Sequence, residues 1–394
     1  MFWSEFKKMW LRPEVIIAFV LVCFIPLAGI IFSLSKSARE YDAAYEKYAG
    51  QMDMSWKEAR EQQYDDYLSD PVHLRSDQEY KNALAEWGMT EESPGAEDAF
   101  YRLKEKYYTT EFVVLESAYR YREFREMLSS YVQNLQNTIA AQDADYDLTR
   151  VSAAYEKLGN ASDTLVFDSS VGKGAFFKSY FYFSKCFLVF LILLCASVFT
   201  GEERTGMADL LRVSKHGRRK LYWRKFAVCQ LTAVFVPAVV FGILAAVVEV
   251  TIGWRGLSGF VQDFVYNFCP YAWSEGEDLA VMLVMFFAVC QVAAAVIFLL
   301  SRIFHSTGKI ICVSLAVLLL PTFLFSTYPR SPLRLYLTSF FTESYLWSGY
   351  SEIRIGQIYL ADWKIAVAEV CIIFAIAFLL ILRYGRKSER RIKE

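Results

Sequence analysis

Six apolar runs constrain this chain more than any other feature of its sequence. They cover residues 14–35, 176–200, 226–250, 279–301, 310–326 and 363–382. An α-helix needs roughly 20 residues to cross the hydrocarbon core of a bilayer, and each run is close to that length. Lipid offers no partners for backbone N–H and C=O groups, so such runs must form helices. The sequence therefore predicts an all-α polytopic membrane protein with six transmembrane helices, in agreement with its 55% hydrophobic residues.

Polar segments of very different length separate these runs. Residues 1–13 have the spacing of an amphipathic helix lying at the membrane interface. Its apolar face consists of Phe2, Trp3, Phe6, Met9 and Trp10. The longest polar segment, 36–175, predicts a helical extracytoplasmic domain between the first and second spans. The remaining segments are a cytoplasmic loop at 201–225, outer loops at 251–278 and 327–362, and a basic tail at 383–394.

The charges of these segments predict their orientation. Residues 36–175 contain 27 Asp/Glu against 16 Lys/Arg, whereas the 201–225 loop is strongly basic. Its Lys/Arg residues are Arg204, Arg212, Lys215, Arg218, Arg219, Lys220, Arg224 and Lys225. Short loops rich in Lys and Arg stay on the cytoplasmic side. With six spans, every basic cluster falls on that side, and both termini are cytoplasmic.

The long polar segment has the pattern of helices. Periodicity predicts one helix over Lys36–Tyr67, a break near Pro71 and a second long helix over Thr110–Gln142. Its many tyrosines allow two interpretations, a ligand-binding face or packing between amphipathic helices, and packing is favoured.

The two outer loops are rich in aromatic residues, which favour the headgroup region. Examples in the second loop are Tyr336, Phe340, Phe341, Tyr345, Trp347, Tyr350 and Tyr359. We therefore expect both loops to dip into, or lie along, the outer leaflet.

Several kinds of site lack a sequence signal. The eight cysteines include no C-x-x-C pair, and the three histidines are far apart, so neither a metal site nor a disulfide framework is expected. Val171–Gly174 lacks the spacing of a phosphate-binding loop. No catalytic residue or bound cofactor is predicted, and ATP-driven transport would need a separate ATPase.

The basic loop also carries an apolar stripe. Met207, Leu210, Leu211 and Ser214 follow helical spacing, and Glu202 and Glu203 stand at the start, where the helix dipole favours acids. The positive charge alone fits an anchor on anionic lipid. The stripe and the acids favour a helix that docks a partner protein.

The same loop resembles the coupling segment of a known family. The matching residues are Glu203, Gly206, Leu210, Leu211, Ser214, Arg218 and the closing Lys225. This pattern, between the second and third spans, is similar to that of ABC-2 type transporter permeases. Lys215 stands where the family often has Pro. The resemblance covers roughly 1–35 and 176–394.

The resemblance implies a function and partners. The chain would be the permease subunit of an ABC exporter in a bacterial plasma membrane. Its partners would be a cytosolic ABC ATPase, which uses ATP and Mg, and a second copy or a related permease, all in contact with membrane lipid. Glu203, Gly206, Met207, Leu210, Leu211, Ser214 and Arg218 would dock the ATPase. The 327–362 loop would match the family's re-entrant helices. No nucleic acid is expected as a partner.

Three ionisable residues inside the spans are candidates for a substrate path. Lys185 and Glu249 lie near the outer ends of the second and third spans, where snorkelling to the interface is the favoured explanation. Glu369 lies about two turns inside the sixth span, and its short side chain makes it the better functional candidate.

Two alternatives to transport remain open at this point. In one, the membrane subunit passes motion to extracytoplasmic peptides or proteins, which a continuous stiff helix from the first span through 36–67, with no polar cavity between the spans, would favour. In the other, the chain is a receptor or scaffold without an ATPase, whose acidic domain binds cationic ligands.

Overall fold

The computed structural model describes most of the chain and divides it into two compact units. The described residues are 2–34, 36–69, 81–82, 85, 110–200, 217–262, 269–304, 306–320, 349–355 and 358–390. The span unit comprises Met1–Ser33, Gly174–Thr251 and Asp278–Glu394, and the polar unit comprises Leu34–Lys173 and Ile252–Glu277.

The span unit is built from helices, most of them long and apolar. In chain order they are α1 (Phe2–Trp10), α2 (Pro13–Ser33), α8 (Val171–Ala196), α9 (Gly217–Thr251), α10 (Glu275–Ile303), α11 (Thr307–Ser314) and α12 (Asp362–Arg390). A π-helical turn, Leu315–Leu319, follows α11. Among the described residues, five of these helices, α2, α8, α9, α10 and α12, are long and apolar enough to cross a membrane. The chain is thus a largely helical, multi-pass membrane protein.

The predicted fifth span is described only in part. Of its residues, α11 covers 310–314 and the π-helical turn covers 315–319, and residues 321–326 lie outside the described part of the chain. At about 1.5 Å per residue, α11 and the π-helical turn together (residues 307–319) extend over roughly 20 Å, short of a hydrocarbon core of about 30 Å. Six spans therefore remain a prediction.

Helix α8 forms the centre of the span unit. Two thirds of the residues in its apolar stretch are buried, whereas less than a third are buried in α2 and in α12. Its aromatic side chains interlock with neighbouring spans: the ring of Phe183 lies 4.9 Å from Phe241 of α9, and Tyr180 lies 5.3 Å from Phe286 of α10. Exposed apolar faces on α2 and α12 suit contact with lipid.

The predicted amphipathic helix at the amino terminus is present as α1. Its last residues pack against the spans: Met9 is 2% exposed, and Trp10 makes edge-to-face ring contacts with Phe19 and Phe190 and donates a hydrogen bond to Thr232. Trp3, by contrast, is 70% exposed. Part of the face assigned to lipid is therefore used to seat α1 on α2 and α9.

The polar unit is also helical. Its helices are α3 (Lys36–Tyr48), α4 (Met54–Leu68), α5 (Thr110–Tyr121), α6 (Phe124–Gln142) and α7 (Thr149–Ala161). Its only described strands, β1 (Gly50–Gln51) and β2 (Val166–Phe167), pair antiparallel.

The prediction of two uninterrupted long helices in this unit is wrong. The first ends at Tyr48 and resumes at Met54, because Asp53 caps α4 by accepting from the backbone N–H of Trp56. Gly50 approaches the Trp56 ring so closely that a Cβ there would lie 2.8 Å from it. The second helix is broken at the turn Arg122–Glu123.

The tyrosines between these helices pack as predicted. Tyr64 of α4 stacks on Tyr119 of α5 with ring centroids 4.1 Å apart, and Tyr67 stacks on Phe112 at 4.5 Å. These contacts confirm packing over a free ligand-binding face for these residues.

The loop after α9 belongs to the polar unit, a partnership that was not predicted. Phe260 donates its backbone N–H to Val166, and Tyr121 donates its hydroxyl to the carbonyl of Gln262 at 2.8 Å. A buried ion pair joins Lys173 to Glu275. The location of this loop in the outer leaflet stays a prediction.

The second outer loop is described only near its end. Residues 327–348, where a re-entrant helix was predicted, lie outside the described residues. Before α12, strands β3 (Glu352–Ile355) and β4 (Ile358–Ala361) form an antiparallel hairpin in the span unit.

Candidate functional site at the ends of the basic loop

Most of the predicted docking residues lie outside the described part of the chain. These are Glu203, Gly206, Met207, Leu210, Leu211 and Ser214. Arg218 lies in the first turn of α9. The structure does describe the segments on either side of this loop, at the end of α8 and the beginning of α9. We call residues 197–200 together with Arg12, Tyr222, Lys225 and Thr307 the loop anchor.

The carboxyl end of α8 presents carbonyl groups that need donors. The last four carbonyls of any helix lack partners within it, and the helix dipole places partial negative charge there. Ser197 donates its hydroxyl to the carbonyl of Leu194 at 3.2 Å, and the N–H of Val198 bonds the carbonyl of Cys195 at 3.3 Å. This end of α8 is therefore capped by the two residues that directly follow it.

Cations satisfy the next two carbonyls. Arg12 donates from Nη2 to the carbonyl of Ser197 at 3.2 Å, and Lys225 donates from Nζ to the carbonyl of Val198 at 2.8 Å. Burial lowers the pKa of Arg12, and the neighbouring Glu14 partly opposes this shift. Positive charge at the carboxyl end of a helix is stabilising, which offsets part of the cost of burying these two cations.

Lys225 is buried, with 2% of its surface exposed. A buried ammonium is costly unless it is paired. Besides the Val198 carbonyl, its Nζ lies 4.8 Å from the centroid of the Phe199 ring, and the guanidinium of Arg302 lies 5.6 Å from the same ring. Phe199 therefore contacts cations from both α9 and α10, and attraction between ring and cation adds to the hydrogen bond.

Two further contacts tie the anchor to the later helices of the span unit. The hydroxyls of Thr200 and Thr307, at the start of α11, are 2.6 Å apart. Tyr222 donates its hydroxyl to the carbonyl of Ile381 in α12 at 3.1 Å, and its ring lies 5.2 Å from that of Phe298. Both ends of the basic loop are thus fixed to several spans.

The three candidate path residues lie on three different helices, α8, α9 and α12. Lys185 lies with its Nζ 3.5 Å from the centroid of Phe181, one turn nearer the amino end of α8. That direction is the one expected of snorkelling. Glu249 is exposed near the end of α9, Glu369 is half-buried in α12, and none of the three is without an interaction partner.

The arrangement joins the ends of α8 and α9 to each other and to α11 and α12 through hydrogen bonds. Within the described ranges, no group of three or more His, Cys, Asp and Glu residues is placed to hold a metal ion. The anchor consists of a lysine, an arginine, hydroxyls and carbonyl oxygens, all engaged with one another or with neighbouring helices.

Sequence reasoning identified only one member of this anchor, Lys225, as the residue that closes the family pattern. Arg12, Thr200, Tyr222 and Thr307 were missed, because their partners are distant in sequence. The one available signal was a lysine immediately before an apolar run, which the orientation rule alone already explained.

Comparisons with protein-family models, with curated proteins and with solved structures found no match to this chain.

Proposed function

We propose that this chain is the transmembrane permease subunit of an ATP-driven ABC-type exporter. The five long apolar helices, the basic loop with its apolar stripe, and the anchoring of both loop ends support this proposal. A cytosolic ABC ATPase, which uses ATP and Mg, would dock on the loop. The complex would hold a second permease copy or a related permease, in a bacterial plasma membrane with both termini of this chain in the cytoplasm.

The buried anchor is the observation that carries the proposal. A loop that only rests on anionic lipid needs exposed lysines and arginines. Here Lys225 is turned inward and bonds the carbonyl of Val198, so the end of α8 is joined to the start of α9. A push on the loop would then move both helices together, which is what coupling to an ATPase requires.

The path of substrate would run along the spans. Glu369 in α12 remains the first candidate to line it, followed by Lys185 and Glu249, because ionisable groups inside a bilayer tend to face a partner or a wet cavity. α2 and α9 continue through Pro26 and Pro237, which are candidate bending points.

Exporter activity is favoured over transmission of motion to extracytoplasmic proteins. One stiff helix through residues 36–67 would have supported that alternative. The structure instead places a break and the strand β1 between Tyr48 and Met54. A receptor or scaffold without an ATPase has no need for a basic loop fixed at both ends.

The test is a double substitution on the predicted docking stripe, Leu210→Asp with Leu211→Asp. Two buried carboxylates would oppose docking of an apolar face. We expect the purified wild-type complex to contain a nucleotide-binding subunit and to hydrolyse ATP, and the variant to insert normally but lose both. Thr205→Asp is the matched control, since it adds charge on the opposite side of the predicted helix.

Two outcomes would contradict the proposal. If the variant keeps the ATPase at the wild-type level, the loop is a lipid anchor. If membrane-impermeant reagents label Ser214→Cys from outside intact cells, the loop faces away from any cytosolic ATPase.

A further inference from the structure

The β3–β4 hairpin has one apolar and one polar face. Its register pairs Ile353 with Leu360 and Arg354 with Tyr359. Since side chains alternate along a strand, Ile353, Leu360 and Ile358 share one face, and Arg354 and Tyr359 share the other. The guanidinium of Arg354 lies 5.7 Å from the centroid of the Tyr359 ring. The hairpin is therefore amphipathic.

The apolar face is partly uncovered, although Ile353 is half-buried. Ile358 is 63% exposed and Leu360 is 36% exposed. An isolated two-stranded hairpin is marginally stable in water, and it needs packing on one face to persist. Neighbouring exposed apolar side chains of this kind mark a surface that meets a protein or a membrane.

The position of the hairpin favours the membrane over a protein as the partner of this face. Ala361, the last residue of β4, is followed directly by Asp362, the first residue of α12, a helix apolar enough to cross a bilayer. Asp362 also donates its backbone N–H to the carbonyl of Ser351 at 3.1 Å, which closes the base of the hairpin onto the start of the helix. With no linker between them, the hairpin must lie at the level where α12 meets the membrane surface.

We propose that the β3–β4 hairpin is a membrane-surface anchor. Ile353, Ile358 and Leu360 insert at the boundary between headgroups and acyl chains, and Arg354 and Tyr359 face water. Lipid covers the exposed face, as it covers the apolar face of an amphipathic helix lying in the interface. The anchor fixes the depth of the amino end of α12, and it does not depend on whether the chain is an exporter.

Nitroxide labels report the surroundings of each face. The full-length protein is prepared with its eight free cysteines replaced by Ala or Ser. It then receives one cysteine at Ile358→Cys or, as the matched control on the opposite exposed face, at Arg354→Cys. Both labelled proteins are placed in nanodiscs of phosphatidylcholine and phosphatidylglycerol. Power-saturation spectroscopy compares collisions with oxygen, which concentrates in lipid, and with a water-soluble nickel chelate.

We expect the label at Ile358→Cys to collide more with oxygen than with nickel, and the label at Arg354→Cys to show the reverse. Leu360→Cys provides a second position on the apolar face if the first variant does not fold. Equal nickel collisions on the two faces would overturn the proposal, because the hairpin would then stand in water. Shielding of Ile358→Cys from both reagents would also overturn it, because protein rather than lipid would cover the face.

Discussion

At the scale of single residues, the loop anchor depends on Lys225, a lysine that the charge pattern alone would place in the headgroup region. Lys225 is one of eight cations in the basic loop, yet it is buried and donates to the carbonyl of Val198. Lys220, five residues earlier in α9, is exposed. The two lysines have the same chemistry and opposite surroundings, so they separate a structural role from general basicity.

Replacing Lys225 by Met tests this role, because Met keeps most of the side-chain volume and removes the ammonium. A hydrogen bond involving a charged group contributes about 1.5–3 kcal/mol, and we expect that loss in the free energy of unfolding. Lys220→Met should change it by less than about 0.5 kcal/mol, as is usual for surface substitutions. Reversible unfolding in mixed micelles would measure both variants. Similar losses in the two variants would mean that the Val198 contact adds nothing.

Some contacts of single residues could be predicted from the sequence, and others could not. Lys185 was assigned to snorkelling from its position alone, and its contact with Phe181 was not foreseen. Thr200 and Thr307, however, are more than 100 residues apart in the sequence, yet their hydroxyls form a hydrogen bond. No local spacing reveals such a pair, because it is set by the packing of α8 against α11.

At the scale of elements, the presence of helices was predicted better than their ends. The apolar length of each run decided the spans, since a bilayer imposes helix on any such run. In the polar unit, α3 and α4 were read as one helix because periodicity continues across residues 49–53. The N-cap at Asp53 and the close approach of Gly50 to Trp56 decide the break, and only the cap had a sequence signal.

The contact between α3 and α5 gives this part of the polar unit a dependence on pH. Glu111 accepts hydrogen bonds from Lys47 and from the hydroxyl of Tyr48, the latter at 3.0 Å. Its hydrogen bond with Lys47, followed by that with Tyr48, lowers the pKa of Glu111 below its usual value, although partial burial opposes the shift. The folded-state pKa is therefore below the unfolded one.

It follows that this contribution is complete above the unfolded pKa, near 4.5, and is lost as pH falls through the lower folded-state pKa. We expect hydrogen exchange of α3 and α5 to accelerate in that range beyond the intrinsic effect of pH. Glu111→Gln should remove most of this dependence. Glu116→Gln is the control, because Glu116 forms an ion pair with Arg120 inside α5. The effect should be below about 1 kcal/mol, since the pair is partly exposed. An unchanged profile in Glu111→Gln would contradict the assignment.

At the scale of the whole molecule, the main surprise is that the polar unit is built from two distant parts of the chain. The predicted segment 36–175 nearly matches its first part, Leu34–Lys173. The second part, Ile252–Glu277, was taken as a separate loop, because its contacts with the first part are non-local and leave no periodic pattern. Glycines at 253, 256 and 259 were the one local hint of close backbone approach.

Gly256 offers a direct test of this composite unit. It has φ of +76°, and a Cβ at this position would lie 1.7 Å from the carbonyl oxygen of Ser169, so no side chain fits while the two parts remain docked. Gly253 has a similar φ of +88°, but its nearest contact would be the flexible side chain of Arg255 at 3.9 Å. Gly256→Ala and Gly253→Ala therefore share the same backbone strain and differ in the close approach.

We expect Gly256→Ala to cost about 1–3 kcal/mol more than Gly253→Ala, as is typical of overpacking. That difference corresponds to a roughly 5- to 150-fold larger population with the loop undocked. Trypsin cleavage after Arg255, whose side chain is half-exposed, would follow this population when opening is fast compared with cleavage. Faster cleavage in Gly256→Ala than in Gly253→Ala would show that the loop must dock on residues 168–170 for the polar unit to be complete. Equal cleavage in the two variants would show that the strain of a positive φ, and not the contact with Ser169, accounts for the glycine.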